Sequence, residues 1–293
     1  MYRKSHRRKL VNHVVRIATV LRWAARALLV LLIVDLFYLA VTWPDWRKIA
    51  AGPVPRSQFM AEYLHRRAED TSLPRMHWSP VPLVTIPKYL VRAVIVAEDS
   101  RFYEHSGFDL IAFKEAMTYN WNEGRFAFGA STISQQTVKN LFLSSSRNPM
   151  RKWHELILTW GMEHNLTKHR IMEIYLNDAE FGPGIYGVQA AARAYWGLDA
   201  SQLSPQQAVE LAATLPAPTK NNPATRTRQF ESRTKKIYEL LSMYPGDAAE
   251  SMAQLRLDTG VDLTDSDAND PAPAGGTTVP PPVEDRSTAR GTM

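Results

Sequence analysis

Four short stretches of this chain hold residue types that can do chemistry. The first, Glu98-Asp99-Ser100-Arg101-Phe102-Tyr103-Glu104-His105-Ser106-Gly107, sets acids and a histidine at the end of an apolar run over residues 89–97. A carboxylate at the half-buried end of an apolar helix is partly desolvated, so its pKa rises and it becomes fit to take a proton as a general base. Glu98 is the candidate; a solvated helix end with His105 satisfied in a turn fits the same letters. The second, Gly129-Ala130-Ser131-Thr132-Ile133-Ser134-Gln135-Gln136-Thr137-Val138-Lys139-Asn140, opens on glycine and hydroxyls and runs into a helix. Ser131 or Thr132 can cap that helix, whose free amides and dipole favour a phosphate oxygen, and Lys139 adds a cation about two turns on. No Gly-Lys-Ser/Thr closes it, so it is not a Walker loop. Its plainer reading is a capped helix with a glutamine-rich exposed face.

The third stretch begins Arg151-Lys152-Trp153-His154-Glu155 and continues, as one helix, through Glu163, Lys168, Glu173 and Tyr175 to Asn177. Arg151 and Glu155 are four residues apart and share a helix face, with Glu163 close to it. Glu163 and Glu173 read as surface ion pairs. The fourth, Glu180-Phe181-Gly182-Pro183-Gly184-Ile185-Tyr186-Gly187, joins a glycine turn to an alanine-rich helix and reads as structural, shaping a cleft wall.

These residues must be positioned by helices. A period of 3.6 residues runs through 88–97, 109–121, 132–143, 153–176, 186–195 and 205–215, punctuated by Gly107, Gly124, Gly129, Pro149, Gly182-Pro183-Gly184 and Gly197. One more, basic helix is predicted over 226–244. The fold class expected is mostly α.

Composition adds the setting. Residues 1–22 hold seven Lys or Arg and no acid, and the apolar run 23–43, broken by Arg26 and Asp35, matches the roughly 20 residues of a membrane-crossing helix. Such basic asymmetry places the N-terminus in the cytoplasm and everything after Pro44 outside. A cleaved signal peptide fits less well, because no small-x-small site follows 23–43. Asp35 reads as a helix contact or as a snorkelling pair with Arg26, and receives no functional role. Residues 246–293 hold nine acids against three arginines, and 270–283 are rich in Pro, Gly, Thr and Ala; this tail is expected to be disordered. The division predicted is a cytoplasmic basic segment 1–22, a transmembrane helix 23–43, a catalytic domain 44–245 and a disordered tail 246–293. The absence of cysteine excludes disulfides, thiolate zinc and a cysteine nucleophile.

In order and spacing, the four stretches resemble the signature blocks of the peptidoglycan glycosyltransferases with a lysozyme-like fold, the domain also found in class A penicillin-binding proteins. Glu98-Asp-x-x-Phe102-x-x-His105-x-Gly107, Gly129-x-Ser131-Thr132-Ile133-x-Gln135-Gln136-x-x-Lys139-Asn140, Arg151-Lys152-x-x-Glu155 and Ile174-Tyr175-Leu176-Asn177 leading to Phe181-Gly182 stand unbroken. The likeness runs from residue 87 to 223, ending in Pro216-Ala-Pro218 and Asn222-Pro223. It implies polymerisation of lipid II into β-1,4-linked glycan with release of polyprenyl diphosphate. Glu98 would be the catalytic base and Glu155 a second required carboxylate. Lys139, Arg151, Lys152 and Lys168 become candidates for pyrophosphate. Asp99, Phe102, His105, Gly107, Ser131, Thr132, Gln135, Gln136 and Asn140 complete the expected substrate-binding set.

The implied chemistry needs these residue types. An acceptor alcohol is a weak nucleophile and needs a base, while a pyrophosphate leaving group needs positive charge more than a general acid. A divalent cation, Mg or Mn, is therefore a candidate near Glu155, and no organic cofactor is expected. The expected partners are lipid II, the growing lipid-linked glycan, the membrane, and other cell-wall synthesis or division proteins, with no nucleic acid. Apolar residues within 117–128 are expected to dip into the bilayer. A lytic enzyme of similar fold has little use for Lys139, Arg151 and Lys152, and a non-catalytic scaffold has little use for Glu98 and Glu155. Too few residues follow Pro223 for a transpeptidase, and Ser232-Arg233-Thr234-Lys235 lacks a companion Lys-Thr-Gly. A monofunctional enzyme of the bacterial cytoplasmic membrane is expected, its catalytic domain in the periplasm.

Overall fold

The computed structural model describes residues 2–124, 131–145 and 149–243. Gly129, the tail 246–293 and the end of the apolar stretch 117–128 lie outside the described residues.

The basic segment and the apolar run form one helix, α1 (Tyr2–Val41). Its apolar part, Ala18–Val41, is 24 residues long, about 36 Å at 1.5 Å per residue, which exceeds the roughly 30 Å of a hydrocarbon core. Leu28, Leu31, Phe37 and Val41 are exposed along it. The helix ends two residues earlier than 23–43 predicts, because Pro44 disfavours helical backbone at Trp43. Two helices follow in a stretch where periodicity gave no expectation: α2 (Trp46–Ala51), capped by Asp45, and α3 (Gln58–Glu69), capped by Ser57.

The core is built on α4 (Lys88–Glu98), whose Leu90, Val91, Ala93, Val94 and Ile95 are all buried. After α5 (Leu110–Glu123), α6 (Ile133–Phe142) packs against both α7 (Pro149–Asn165) and α8 (Lys168–Asp178). The single helix expected over 153–176 is thus two. Thr167 accepts the Arg170 amide at 3.2 Å as the N-cap of α8, and Asn165 Nδ2 donates to the Gly161 carbonyl at 2.7 Å. These side chains satisfy the backbone groups that a break exposes, which is why hydroxyl and amide residues favour helix ends.

Three short strands, β1 (His77–Trp78), β2 (Glu180–Gly182) and β3 (Ile185–Tyr186), form a sheet in the order β1-β3-β2. β1 runs parallel to β3 with His77 opposite Ile185, and β2 folds back antiparallel through the Gly182-Pro183-Gly184 turn. Asn177 ties the end of α8 to this sheet: its Oδ1 accepts the Val81 amide at 2.8 Å and its carbonyl accepts Trp78 Nε1 at 2.9 Å. Gly187, at φ +81°, lies so close that a Cβ there would meet the Asn177 carbonyl oxygen at 2.7 Å.

The described residues close with α9 (Val188–Trp196), α10 (Pro205–Thr214) and α11 (Arg228–Met243). Small buried side chains, Ala208, Ala212 and Ala213, let α10 approach the core closely, and both α10 and α11 pack on α4. The mostly α, lysozyme-like class expected from the sequence is the class observed, with the small sheet added.

Candidate active site

Glu98 occupies the last turn of α4, where the apolar face of that helix drives its end against the core. Its side chain is 10% exposed, and Arg233 Nη2 donates to Oε1 at 2.7 Å. Gln136 Nε2 donates to Oε2 at 2.9 Å, and the hydroxyl of buried Tyr175 donates to Gln136 Oε1 at 3.2 Å. Burial pushes the Glu98 carboxyl above its ordinary value, against the opposing pull of Arg233, Gln136 and Lys139. The base candidate is therefore desolvated enough to hold a proton well, yet has donors on both oxygens that keep a carboxylate form accessible.

Behind Glu98 stands a closed brace. Asp99 accepts His105 Nε2 at 2.9 Å and the Ile133 amide at 2.9 Å. His105 Nδ1 takes the Gly107 amide at 3.1 Å, and Thr132 Oγ1 donates to the Gly107 carbonyl at 2.7 Å. Thr132 and Gln135 make a reciprocal capping box at the start of α6. Phe102 is 0% exposed. Asp99, Phe102, His105, Gly107, Thr132 and Gln135, all expected in the substrate-binding set, lie together and join the end of α4 to the start of α6. The capping reading of the second stretch resolves onto Thr132, and Ser131 is exposed beside it. The glutamines do not form an exposed face: Gln135 is buried and Gln136 reaches Glu98.

Lys139, one helical face further along α6, lies largely out of water. Burial lowers its pKa, Glu155 and Glu98 hold its charge, and Arg151 and Lys152 oppose it. Lys139 therefore couples electrostatically to both carboxylates. Its ammonium stands 5.8 Å from the Phe59 ring of α3. Glu155 is 4% exposed and accepts Lys152 Nζ, whose side chain is half exposed. Lys152 and Lys139 thus flank one buried anion, and Arg151 stands near enough to Lys139 to repel it, an arrangement suited to a dianionic group.

Asp178, at the end of α8, is buried beside this cluster. Neither oxygen makes a well-aligned hydrogen bond, although Ser57 and Asn140 lie near as donors. Burial pushes its pKa up to about 7 against the pull of Ser57, Asn140 and Lys139.

Lys168 is engaged elsewhere. Its Nζ donates to Glu163 at 2.7 Å and sits 4.4 Å from the Phe102 ring, and burial lowers its pKa against the pull of Glu163. Glu163, also hydrogen-bonded by Ser134, is 7% exposed, and Glu173, paired with Arg170, is 17% exposed. Both acids are ion-paired as expected, but the pairs are part-buried and not on the open surface. The sequence reading missed Arg233 and Asp178. Arg233 sits 135 residues from Glu98 among other basic residues of α11, so spacing gives no signal. Asp178 carries a weak one, an acid closing an apolar helix.

Residues 68–242 match the transglycosylase family. The chain is 44% identical over 191 residues to a biosynthetic peptidoglycan transglycosylase of Bordetella avium, covering 64% of this chain and 80% of that protein. It is 42% identical over 207 residues to the protein of the same name from Azoarcus sp., covering 69% and 87%. With that of Aromatoleum aromaticum it shares 40% identity over 220 residues, covering 73% and 91%.

Proposed function

The chain belongs to the transglycosylase family, and on that premise we propose that Glu98 is the base and the Lys139–Arg151–Lys152–Glu155 cluster the pyrophosphate site of its reaction. The enzyme is a peptidoglycan glycosyltransferase, which polymerises the lipid-linked disaccharide lipid II into β-1,4-linked glycan strands for the cell wall. Glu98 takes the proton of the acceptor 4-hydroxyl as that oxygen attacks the donor's anomeric carbon from the face opposite pyrophosphate. The bond to pyrophosphate breaks, the configuration inverts, and polyprenyl diphosphate leaves. Negative charge grows on the leaving oxygens, where fixed cations stabilise it without reorganising. The observation that carries this reading is the desolvated Glu98, held by Arg233 and Gln136 and linked through Lys139 to the cation cluster.

The brace of Asp99, Phe102, His105, Gly107, Thr132 and Gln135 acts by holding Glu98 in place. A protonated carboxyl acid is not required, since pyrophosphate is a good leaving group, and this separates the site from that of a glycosidase.

Of the candidate metal sites, Asp99, His105 and Asp109 lie close together, but their atoms are already used. Asp99 holds His105 and Ile133, and Asp109 caps α5 and meets Arg101. Glu155 offers one oxygen pair among three cations. That suits an ion carried in on substrate phosphates, not a resident one, and a divalent cation near Glu155 is proposed only in that sense.

The apolar part of α1 suits a membrane anchor. We place it in the bacterial cytoplasmic membrane, residues 1–22 inside and the catalytic domain 44–245 in the periplasm, on the strength of the basic asymmetry. The test of the site is a polymerisation assay on lipid II with folded Glu98→Gln protein. Glycan polymer on a gel at near wild-type rate would remove Glu98 from its role.

A further inference from the structure

Asp35 lies inside the apolar run of α1, six residues before its end, about 9 Å along the axis at 1.5 Å per residue. A carboxylate at such a depth is unfavourable unless a partner meets it. Arg26 is not that partner: nine residues apart on a helix puts the two on opposite faces, and Arg26 instead lies over the Trp23 ring at 5.1 Å. Asp35 reaches the catalytic domain. Its Oδ1 meets His154 Nε2 at 2.7 Å and its Oδ2 accepts Trp153 Nε1 at 3.1 Å. The Asp35 and His154 side chains are 13% and 17% exposed.

The contact continues beyond that pair. Tyr38 stacks on the His154 ring with centroids 5.9 Å apart, and Leu39 is 5% exposed. Trp43 lies against Gly161, where a Cβ would come within 2.8 Å of its ring. Arg170 then holds the carbonyls of Ile49 and Gly52 at 2.9 and 2.6 Å. From Asp35 to Gly52, therefore, the chain is fastened to α7 and α8. His154 and Trp153 sit on α7 between Lys152 and Glu155, so the helix that carries the cation cluster is the one the anchor grips.

We propose that Asp35 is a positioning residue: through His154 and Trp153 it locks the membrane anchor to α7 and sets the height of Arg151, Lys152 and Glu155 relative to the bilayer surface. The donor's pyrophosphate is attached to a polyprenyl chain in the same bilayer, so its own height is fixed by the lipid. A binding group displaced from a substrate that cannot follow loses contact with it, and the loss falls on substrate binding. This inference rests on reading α1 as a membrane anchor.

The test uses full-length protein in vesicles of phosphatidylethanolamine and phosphatidylglycerol, with two donors: lipid II on its long polyprenyl chain, and a short-chain, water-dispersible analogue. Flotation comes first. Wild-type protein that fails to float with the vesicles overturns the anchor reading itself. With flotation intact, Asp35→Leu is expected to raise the KM for the long-chain donor about tenfold, the scale of one hydrogen bond to a charged group. The kcat for that donor and both constants for the short-chain analogue should stay within about twofold. Asp35→Asn, which keeps an acceptor for Trp153, should fall between. An unchanged long-chain KM, or an equal loss with both donors, overturns the proposal.

Because the chain has no cysteine, the Asp35→Cys, His154→Cys double variant adds a second measurement that does not depend on the behaviour of Asp35→Leu. A short thiol-bridging reagent should join the two positions and return the long-chain KM toward wild type. Failure to cross-link in folded protein, checked by circular dichroism, also overturns the proposal.

Discussion

Glu98 ends a helix packed into the core, with Arg233 on one oxygen and Gln136 on the other, whereas Glu155 rides on α7 with the half-exposed Lys152 for a partner. Both are nearly buried. They differ in what surrounds them: Glu98 is held by one part-buried guanidinium and one amide, Glu155 by a half-exposed lysine among other cations. A carboxylate of the first kind is tuned as a proton acceptor, because its environment is fixed before the substrate arrives. The second kind organises charge. Its lysine can shift toward an incoming phosphate, and its own negative charge keeps three cations together while the site is empty.

The most damaging way to probe the contrast is Glu98→Gln, which keeps the shape and removes the base. Turnover should fall by at least the roughly 10²–10⁴-fold that general base catalysis supplies, with donor binding retained. Single-turnover assays beside a direct binding measurement separate the two, and loss of binding without loss of chemistry would reverse the assignment.

Arg233→Ala should come next, at about tenfold or more in turnover near neutral pH, since it removes a charge-assisted hydrogen bond to the base. Its sign in pH is definite. Arg233 pulls the Glu98 pKa down, so removing it raises that pKa further and less base is ionised at a given pH. The acid limb of the rate profile should move to higher pH, and Arg233→Lys should move it less. A limb that stays in place would mean that Arg233 serves structure alone.

Glu155→Gln sharpens the other side. Lys152 loses its buried partner, and the KM for the pyrophosphate donor should rise by several-fold, more than in Glu98→Gln, with residual activity that responds to added Mg or Mn. A fall in KM would show instead that Glu155 acts by limiting the positive charge of the cluster.

Much of this arrangement was legible in the residues. Helical period located α4, α5, α6, α9, α10 and α11 to within a few residues; all but α5 bury an apolar face against the core, while Leu110, Ile111, Phe113 and Trp121 of α5 are exposed. The break between α7 and α8 was not legible, since Thr167 and Asn165 look like ordinary helix members until their side chains are seen to cap. The strands are two or three residues long, too short for alternation to register. In the site, the letters picked out Glu98, Lys139 and Glu155. They could not separate the residues that meet substrate from those that brace the base, because Asp99 and His105 carry the same functional groups in either role. Nor could they bring Arg233 to Glu98, which only the packing of α11 on α4 does.

A further effect concerns stability and leaves the catalytic contrast untouched. The Asp178 pKa is raised to about 7 by burial, so the folded state binds this proton more tightly than the unfolded chain. That contribution is complete below the ordinary aspartate range and is lost as pH rises through about 7. Asp178→Asn should therefore be more stable than wild type at pH 8 by at most a few kcal/mol, and the advantage should vanish near pH 4. Thermal melts of both proteins across this window check it; parallel curves would show that Asp178 titrates normally.

Arg233 reaches Glu98 from 135 residues further along the chain, and this has a consequence for the timing of synthesis. A polypeptide emerges N-terminus first, so the anchor, the catalytic carboxylates and the cation cluster are all made before the helix that completes the base. Until α11 has left the ribosome and docked on α4, a nascent chain beside the membrane holds its substrate-facing residues without a finished base. Full activity of this enzyme is reached only once α11 has been made and docked.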